Sequence, residues 1–210
     1  MLKLHHLNNS RSQKILWLLE ELELTYELVK YQRHPETLMG PPELKALHPL
    51  GKSPVLEVDG QLLSESGAIC DYILDRFGNG RLAPDPSGPD QLRFVENLYF
   101  AVSAGMNPIM IKVYCQAFNL TGSPMDLAAD SELQTALEYI ERQLGKGPWL
   151  LGDLFTVADI QMSFIPELAR TLGTIDRYPA LNAWLLRLYE RPAFLSSIER
   201  GGTYQFSITT

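Results

Sequence analysis

Pro54 stands at the mouth of an apolar run, Val55-Leu56-Glu57-Val58, directly after Lys52 and Ser53. Proline has no N–H to give to a sheet ladder, so it must open a strand or lie on an edge. The run leads into Asp59-Gly60, a hairpin signal, then Gln61 to Leu63 as a returning strand. Ser64-Glu65-Ser66-Gly67 then opens a helix. A cis bond into Pro54 would turn the Ser53 amide and carbonyl outward, free to pair with an extended peptide as an added strand.

The segments around this corner are short and alternate in type. Leu2 to Leu7 reads as a strand, and Ser10 to Glu23 as an amphipathic helix with Ile15, Leu16, Leu18, Leu19 and Leu22 as its apolar set. Tyr26 to Tyr31 is a second strand, Pro42 to Leu47 a short helical turn, and Ser64 to Phe77 a closing helix. The order βαβαββα predicts one mixed sheet covered by helices, an α+β, thioredoxin-like arrangement over residues 1–78. The stretch GNGRLAPDPSGP is dense in glycine and proline and reads as a linker over 79–89. Residues 90–210 read as an all-α helical bundle, with helices expected over 90–119, 130–144, 156–172 and 179–191. The final GGTYQFSITT reads as a loose tail.

Bulk properties narrow the function classes. A net charge of -7 excludes a broad electrostatic footprint for nucleic acid. No stretch reaches the roughly 18 apolar residues needed to span a bilayer, and MLKLHHLNNSR has no apolar signal core, so a cytoplasmic protein with no membrane association is expected. Cys70 and Cys115 have no CxxC partner, which disfavours a disulfide framework and a dithiol redox motif. His5, His6, His34 and His48 lack metal-ligand spacing, and His5 and His6 should point to opposite faces of a strand. No metal is expected.

The corner at Pro54 has a definite ligand chemistry. Helix-opening amides at Ser64 to Gly67, with the Ser66 hydroxyl, favour a carboxylate, and Glu65 can receive an ammonium group. A γ-linked glutamate carries both groups at one end. Lys52 can meet a second carboxylate at the other end. Ser64 and Ser66 are equally good helix caps, and Lys52 equally a solvated charge. Thr156-Val157-Ala158-Asp159 reads as a capping box serving stability.

GKSPVLEVDGQLLSESGAICDYI resembles the glutathione-binding segment of the glutathione S-transferase family. WLLGDLFTVADI is similar to the stretch carrying that family's helix-capping motif, and WLLEELELTYELV to its first helix and second strand. The resemblance implies a cytosolic, serine-type member that conjugates glutathione to small hydrophobic electrophiles in detoxification. It implies a homodimer with no cofactor beyond glutathione as co-substrate. On matching positions it implies glutathione binding by Lys52, Ser53, Pro54, Glu65 and Ser66, with His48 on the approach.

The reaction requires a thiolate, and a thiol of pKa near 8.5 is only a few per cent ionised at neutral pH. Lowering it by about two units takes roughly 2.7 kcal/mol, within reach of one charge-assisted hydrogen bond plus a helix N-terminus. The family places such a donor where the first strand meets the first helix, here Asn8-Asn9-Ser10-Arg11-Ser12. Ser10 is the first candidate for the catalytic contact, with Asn9 and Ser12 as alternates and Arg11 as a possible aid. Ser10 could equally cap the helix. Tyr99, Met106, Met110 and Tyr114, on one expected long helix kinked at Asn107-Pro108, are candidates for an electrophile pocket or for plain core. Two rival functions stay open: a glutathione-dependent disulfide or peroxide reductase, and a non-catalytic glutathione-binding or assembly module.

Overall fold

The computed structural model describes residues 1–35 and 37–207. These form two compact units, one of Met1–Asn79 with the segment from Tyr189 onward, the other of Gly80–Leu188.

The first unit is built on β1 (Leu2–Leu7), α1 (Ser12–Glu21), β2 (Tyr26–Tyr31), α2 (Pro42–Leu47), β3 (Val55–Val58), β4 (Gln61–Ser64) and α3 (Ser66–Ile73), the last running into a wider turn at Leu74–Gly78. Its sheet has the order β2-β1-β3-β4. β1 is parallel to β2 and antiparallel to β3, and β3 is antiparallel to β4. This is the mixed, thioredoxin-like sheet that the alternation of segments predicts.

α1 is buried nearly all round, from Ser12 through Leu19. The apolar stripe foreseen from its sequence explains contact with β1 and α3. The burial of Gln13, Lys14 and Trp17 has another cause: α10 (Pro192–Gly201) lies along the opposite face of α1. Gln13 Nε2 donates to Ser197 Oγ at 2.8 Å, and Arg191 clamps the Glu21 carboxylate through Nε at 2.6 Å and Nη2 at 2.8 Å. Pro192 opens this helix at a position where a missing N–H costs nothing. The loose tail expected from GGTYQFSITT is corrected over the described part. Tyr204 is buried, with its ring 5.3 Å from Lys14 Nζ and 5.3 Å from Phe206. Residues 208–210 lie outside the described residues.

The second unit holds α4 (Gln91–Phe100), α5 (Met106–Ala117), α6 (Pro124–Leu144), α7 (Val157–Met162), α8 (Phe164–Thr171) and most of α9 (Pro179–Tyr189). The single helix expected over 90–119 is broken at 101–105. Gly105 shows why the break is compact: a Cβ there would sit 2.5 Å from Phe100 Cε1 and 2.7 Å from Ile165 Cδ1. Pro108 therefore falls in the first turn of α5, where proline is tolerated, and does not kink a longer helix. α6 starts earlier than expected because Ser123-Pro124 is a cap and first-turn pair, with Asp126 N–H donating to Ser123 Oγ at 3.3 Å.

The Thr156 capping box is present. Thr156 N–H donates to Asp159 Oδ2 at 2.9 Å. The other oxygen, Oδ1, takes Leu150 N–H at 2.9 Å and Trp184 Nε1–H at 3.1 Å. One buried carboxylate thus ties a loop, a helix start and α9 together, which extends the stability role read from the motif. Burial pushes its acid up to about 6, while these donors pull it down.

Candidate functional site

The Ser53–Pro54 bond is cis. The ladder between β1 and β3 ends at His5↔Val55, so Ser53, on the far side of Pro54, lies two residues beyond its last rung. Its side chain takes over there: Ser53 Oγ donates to His5 O at 2.9 Å and accepts from Leu7 N–H at 3.1 Å. Among the described residues no backbone hydrogen bond uses the Ser53 N–H or C=O. The serine hydroxyl holds the corner to β1, and the main-chain pair is left open.

On the other side of β3, Val55 pairs with Ser64, which sets Glu65 and Ser66 beside the corner. Glu65 is exposed and sits at φ 74°, a left-handed conformation that costs a non-glycine residue about 1–3 kcal/mol. Ser66 opens α3 with its hydroxyl buried and without any hydrogen-bond partner among the described residues. A buried hydroxyl left unpaired is costly, and such atoms in native structures call for a reason. Backbone strain and an orphaned hydroxyl coincide at a helix start beside an open strand edge. Lys52 is exposed. His48 ends α2, its Nδ1 accepting from Leu50 N–H at 3.3 Å.

The turn between β1 and α1 is the third part. Asn9 is left-handed, φ 50°, a conformation that asparagine tolerates. Ser10 is 4 % exposed, and its hydroxyl is engaged on all sides. It donates to Leu7 O at 2.8 Å, lies 2.8 Å from Ser12 Oγ and accepts Ser12 N–H at 3.2 Å. Ser12 is fully buried and reaches His6 Nδ1 at 2.9 Å. Burial, with the Lys30 charge nearby, holds the His6 imidazole down to about 4, the Ser12 hydrogen bond pulling the other way. Arg11, half-buried, stands just before α1. The two adjacent histidines do face opposite sides of the sheet. His5 Nδ1 lies 2.9 Å from the Tyr31 hydroxyl and its Nε2 3.4 Å from Glu57.

Two groups at this turn carry no local sequence signal. Arg33 wraps it from outside, with its N–H on Asn8 Oδ1 at 2.8 Å, Nε on Asn8 O and Nη2 on Asn9 O, both at 3.1 Å. From the far end of the chain, Gln205 N–H donates to Asn9 Oδ1 at 2.9 Å.

The candidate pocket residues are spread over two helices instead of one. Tyr99 is exposed on α4; on α5, Met106 is buried, Met110 half-buried and Tyr114 exposed. Cys70 and Cys115 are both buried free thiols. Among the described residues no group of His, Cys, Asp or Glu is placed to hold a metal, and no helix is long and apolar enough to cross a membrane.

Comparison with known proteins agrees along the chain. Residues 1–75 match the family model for the glutathione S-transferase N-terminal domain, and 105–192 the C-terminal domain. Glutathione S-transferase 1 of Saccharomyces cerevisiae is 29% identical over 95% of each chain. Glutathione S-transferase 3 of Schizosaccharomyces pombe is 30% identical over 95% of this chain and 88% of its own. A crystal structure of a glutathione S-transferase from Actinobacillus pleuropneumoniae superposes with a TM-score of 0.88 at 30% identity, covering 100% of this chain and 97% of that one.

Proposed function

Because the chain belongs to the glutathione S-transferase family, we propose that it binds glutathione at the Ser53–Pro54 corner and transfers it as a thiolate to small apolar electrophiles. One observation carries the reading. The partnerless buried hydroxyl of Ser66 lies at a helix start beside an unpaired strand edge. A γ-glutamyl carboxylate supplies the acceptor that this hydroxyl lacks, its ammonium meets Glu65, and the cysteinyl main chain pairs with Ser53. Lys52 receives the glycine carboxylate, with His48 close to the approach.

The thiol then lies toward the turn of Asn9 to Ser12, at the start of α1. Its proton leaves to solvent, and hydrogen bonding with the helix N-terminus favours the sulfur anion. The sulfur lone pair forms a C–S bond while the electrophile's leaving group departs with its bonding electrons. Tyr99, Met106, Met110 and Tyr114 are the proposed apolar contacts for that partner, with methionine adapting to varied shapes. No further cofactor takes part. Detoxification in the cytoplasm, as a homodimer, is the setting in which such a reaction belongs.

Titration of the purified protein with glutathione, followed by thiolate absorbance of the bound ligand, tests the reading. Saturable binding with a thiol midpoint below that of free glutathione is the expected result, with turnover on aryl halides or epoxides. Binding without a lowered midpoint would leave only a binding module. Turnover confined to disulfides would make the protein a reductase.

A further inference from the structure

The geometry points to the C-terminal segment from Gly202 to Ser207 as a positioning element of the thiol site, which holds Asn9 so that its amide Nδ2 faces the sulfur. The inference rests on the glutathione reading above.

Three observations lead to it. First, the Ser10 hydroxyl has its hydrogen directed at Leu7 O or Ser12 Oγ, and the residue is buried. It can serve a ligand only by giving up contacts that shape the turn. Second, Asn9 is half-buried, and among the described residues nothing accepts from its Nδ2. Its other amide atom is fixed: a main-chain N–H must meet the oxygen, so the Gln205 bond settles which end of the amide is which. With Oδ1 bound to the tail, the two Nδ2 hydrogens are left as side-chain donors without an acceptor among the described residues. Third, both tethers of Asn9 are main-chain or planar groups. Arg33 Nη2 holds its carbonyl and Gln205 its side chain. A donor locked before the ligand arrives loses little freedom on binding, which is what makes it effective.

The tail is itself anchored. The Tyr204 ring is buried against Lys14, and a turn closes from Ser207 N–H to Tyr204 O at 3.4 Å, while the Tyr189 hydroxyl donates to Phe206 O at 3.4 Å. Gly201 lies close against Gln13, Leu16 and His6, so α10 delivers the tail to the β1–α1 turn. Asn9 therefore touches the thiol, and Gln205 acts through Asn9.

Gln205→Pro is the direct test. Gln205 is the second residue of that turn, a place proline favours, so the substitution removes the N–H while suiting the backbone. Glutathione affinity and the pH midpoint of the bound thiol are read together, by calorimetry and thiolate absorbance. The midpoint should rise by about one pH unit, a tenfold loss of thiolate below it. In an Asn9→Ala background Gln205→Pro should add nothing, the signature of action through a shared residue. Asn9→Asp, which keeps the tail bond but puts a negative charge at the sulfur, should raise the midpoint more than Asn9→Ala. An unchanged midpoint in Gln205→Pro with normal binding overturns the tail's role and leaves the transferase reading intact. So does a larger effect from Ser10→Ala than from Asn9→Ala. Absence of glutathione binding to the unaltered protein sinks both.

Discussion

The Leu7 N–H donates to the side-chain oxygen of Ser53 at 3.1 Å, in the place where a continuing ladder would have offered a main-chain oxygen. Together with the bond from Ser53 Oγ to His5 O, it lets a side chain finish the pairing of β1 while the Ser53 main chain stays available. Ser53→Ala should therefore lower unfolding stability by about 1 kcal/mol, the worth of such bonds. Glutathione affinity should stay within about threefold, because the ligand pairs with the backbone. Urea unfolding and calorimetric titration of the same preparation check both halves.

Ser66→Ala should separate binding from stability. Its hydroxyl has no partner among the described residues, so deleting it removes an unsatisfied buried group and should leave the unfolding midpoint unchanged or slightly higher. Glutathione binding should weaken about five- to twentyfold, as expected for one hydrogen bond to a charged carboxylate. Loss of stability with no loss of affinity would return Ser66 to a plain structural role.

His6 sets a pH dependence. Its imidazole titrates near 4 in the folded chain and near 6.5 when unfolded, so between these values the unfolded chain binds more protons. The contribution is fully present above pH 6.5 and is lost as pH falls toward 4. The stability difference between the unaltered protein and His6→Gln should shrink by about 3 kcal/mol across that window, measured by denaturant unfolding at each pH. A constant difference would mean that His6 takes up its proton without unfolding.

Asp159→Ala should be among the most damaging single changes in the helical unit. It would remove the acceptor of four buried donors at once: Leu150 N–H, Thr156 N–H, the Thr156 hydroxyl and Trp184 Nε1–H. The expected cost is at least about 3 kcal/mol, read by thermal or urea unfolding. Restoration by Asp159→Asn should be partial, since an amide can accept from Leu150 and Trp184 but turns a second donor toward Thr156.

Local chemistry made much of this legible before any coordinates. Pro54, Asp59-Gly60 and the serine pair at 64 and 66 each impose a backbone state, and the corner they define is the one observed. The alternation of short apolar runs likewise gives the mixed sheet. What stayed hidden depends on residues far apart in the chain. Nothing near Asn9 announces Arg33 or Gln205, and 196 positions separate the last pair. The division of the long helix at 101–105 was missed for a related reason: Gly105 is demanded by Phe100 and Ile165 around it, while its own neighbours read as continuous helix. Ser123-Pro124 is different. A serine before proline is a local helix-start signal, and it stands ahead of the helix expected over 130–144.

The packing of α10 on α1 also has a bearing on biosynthesis. Leu16 and Trp17 lie in the middle of α1, yet the surface that shelters them is supplied by α10, synthesised long after them. A ribosome that has released only the sheet and its first three helices therefore holds an uncovered apolar flank. The unit that carries the sheet thus leaves the ribosome before the helix that seals it.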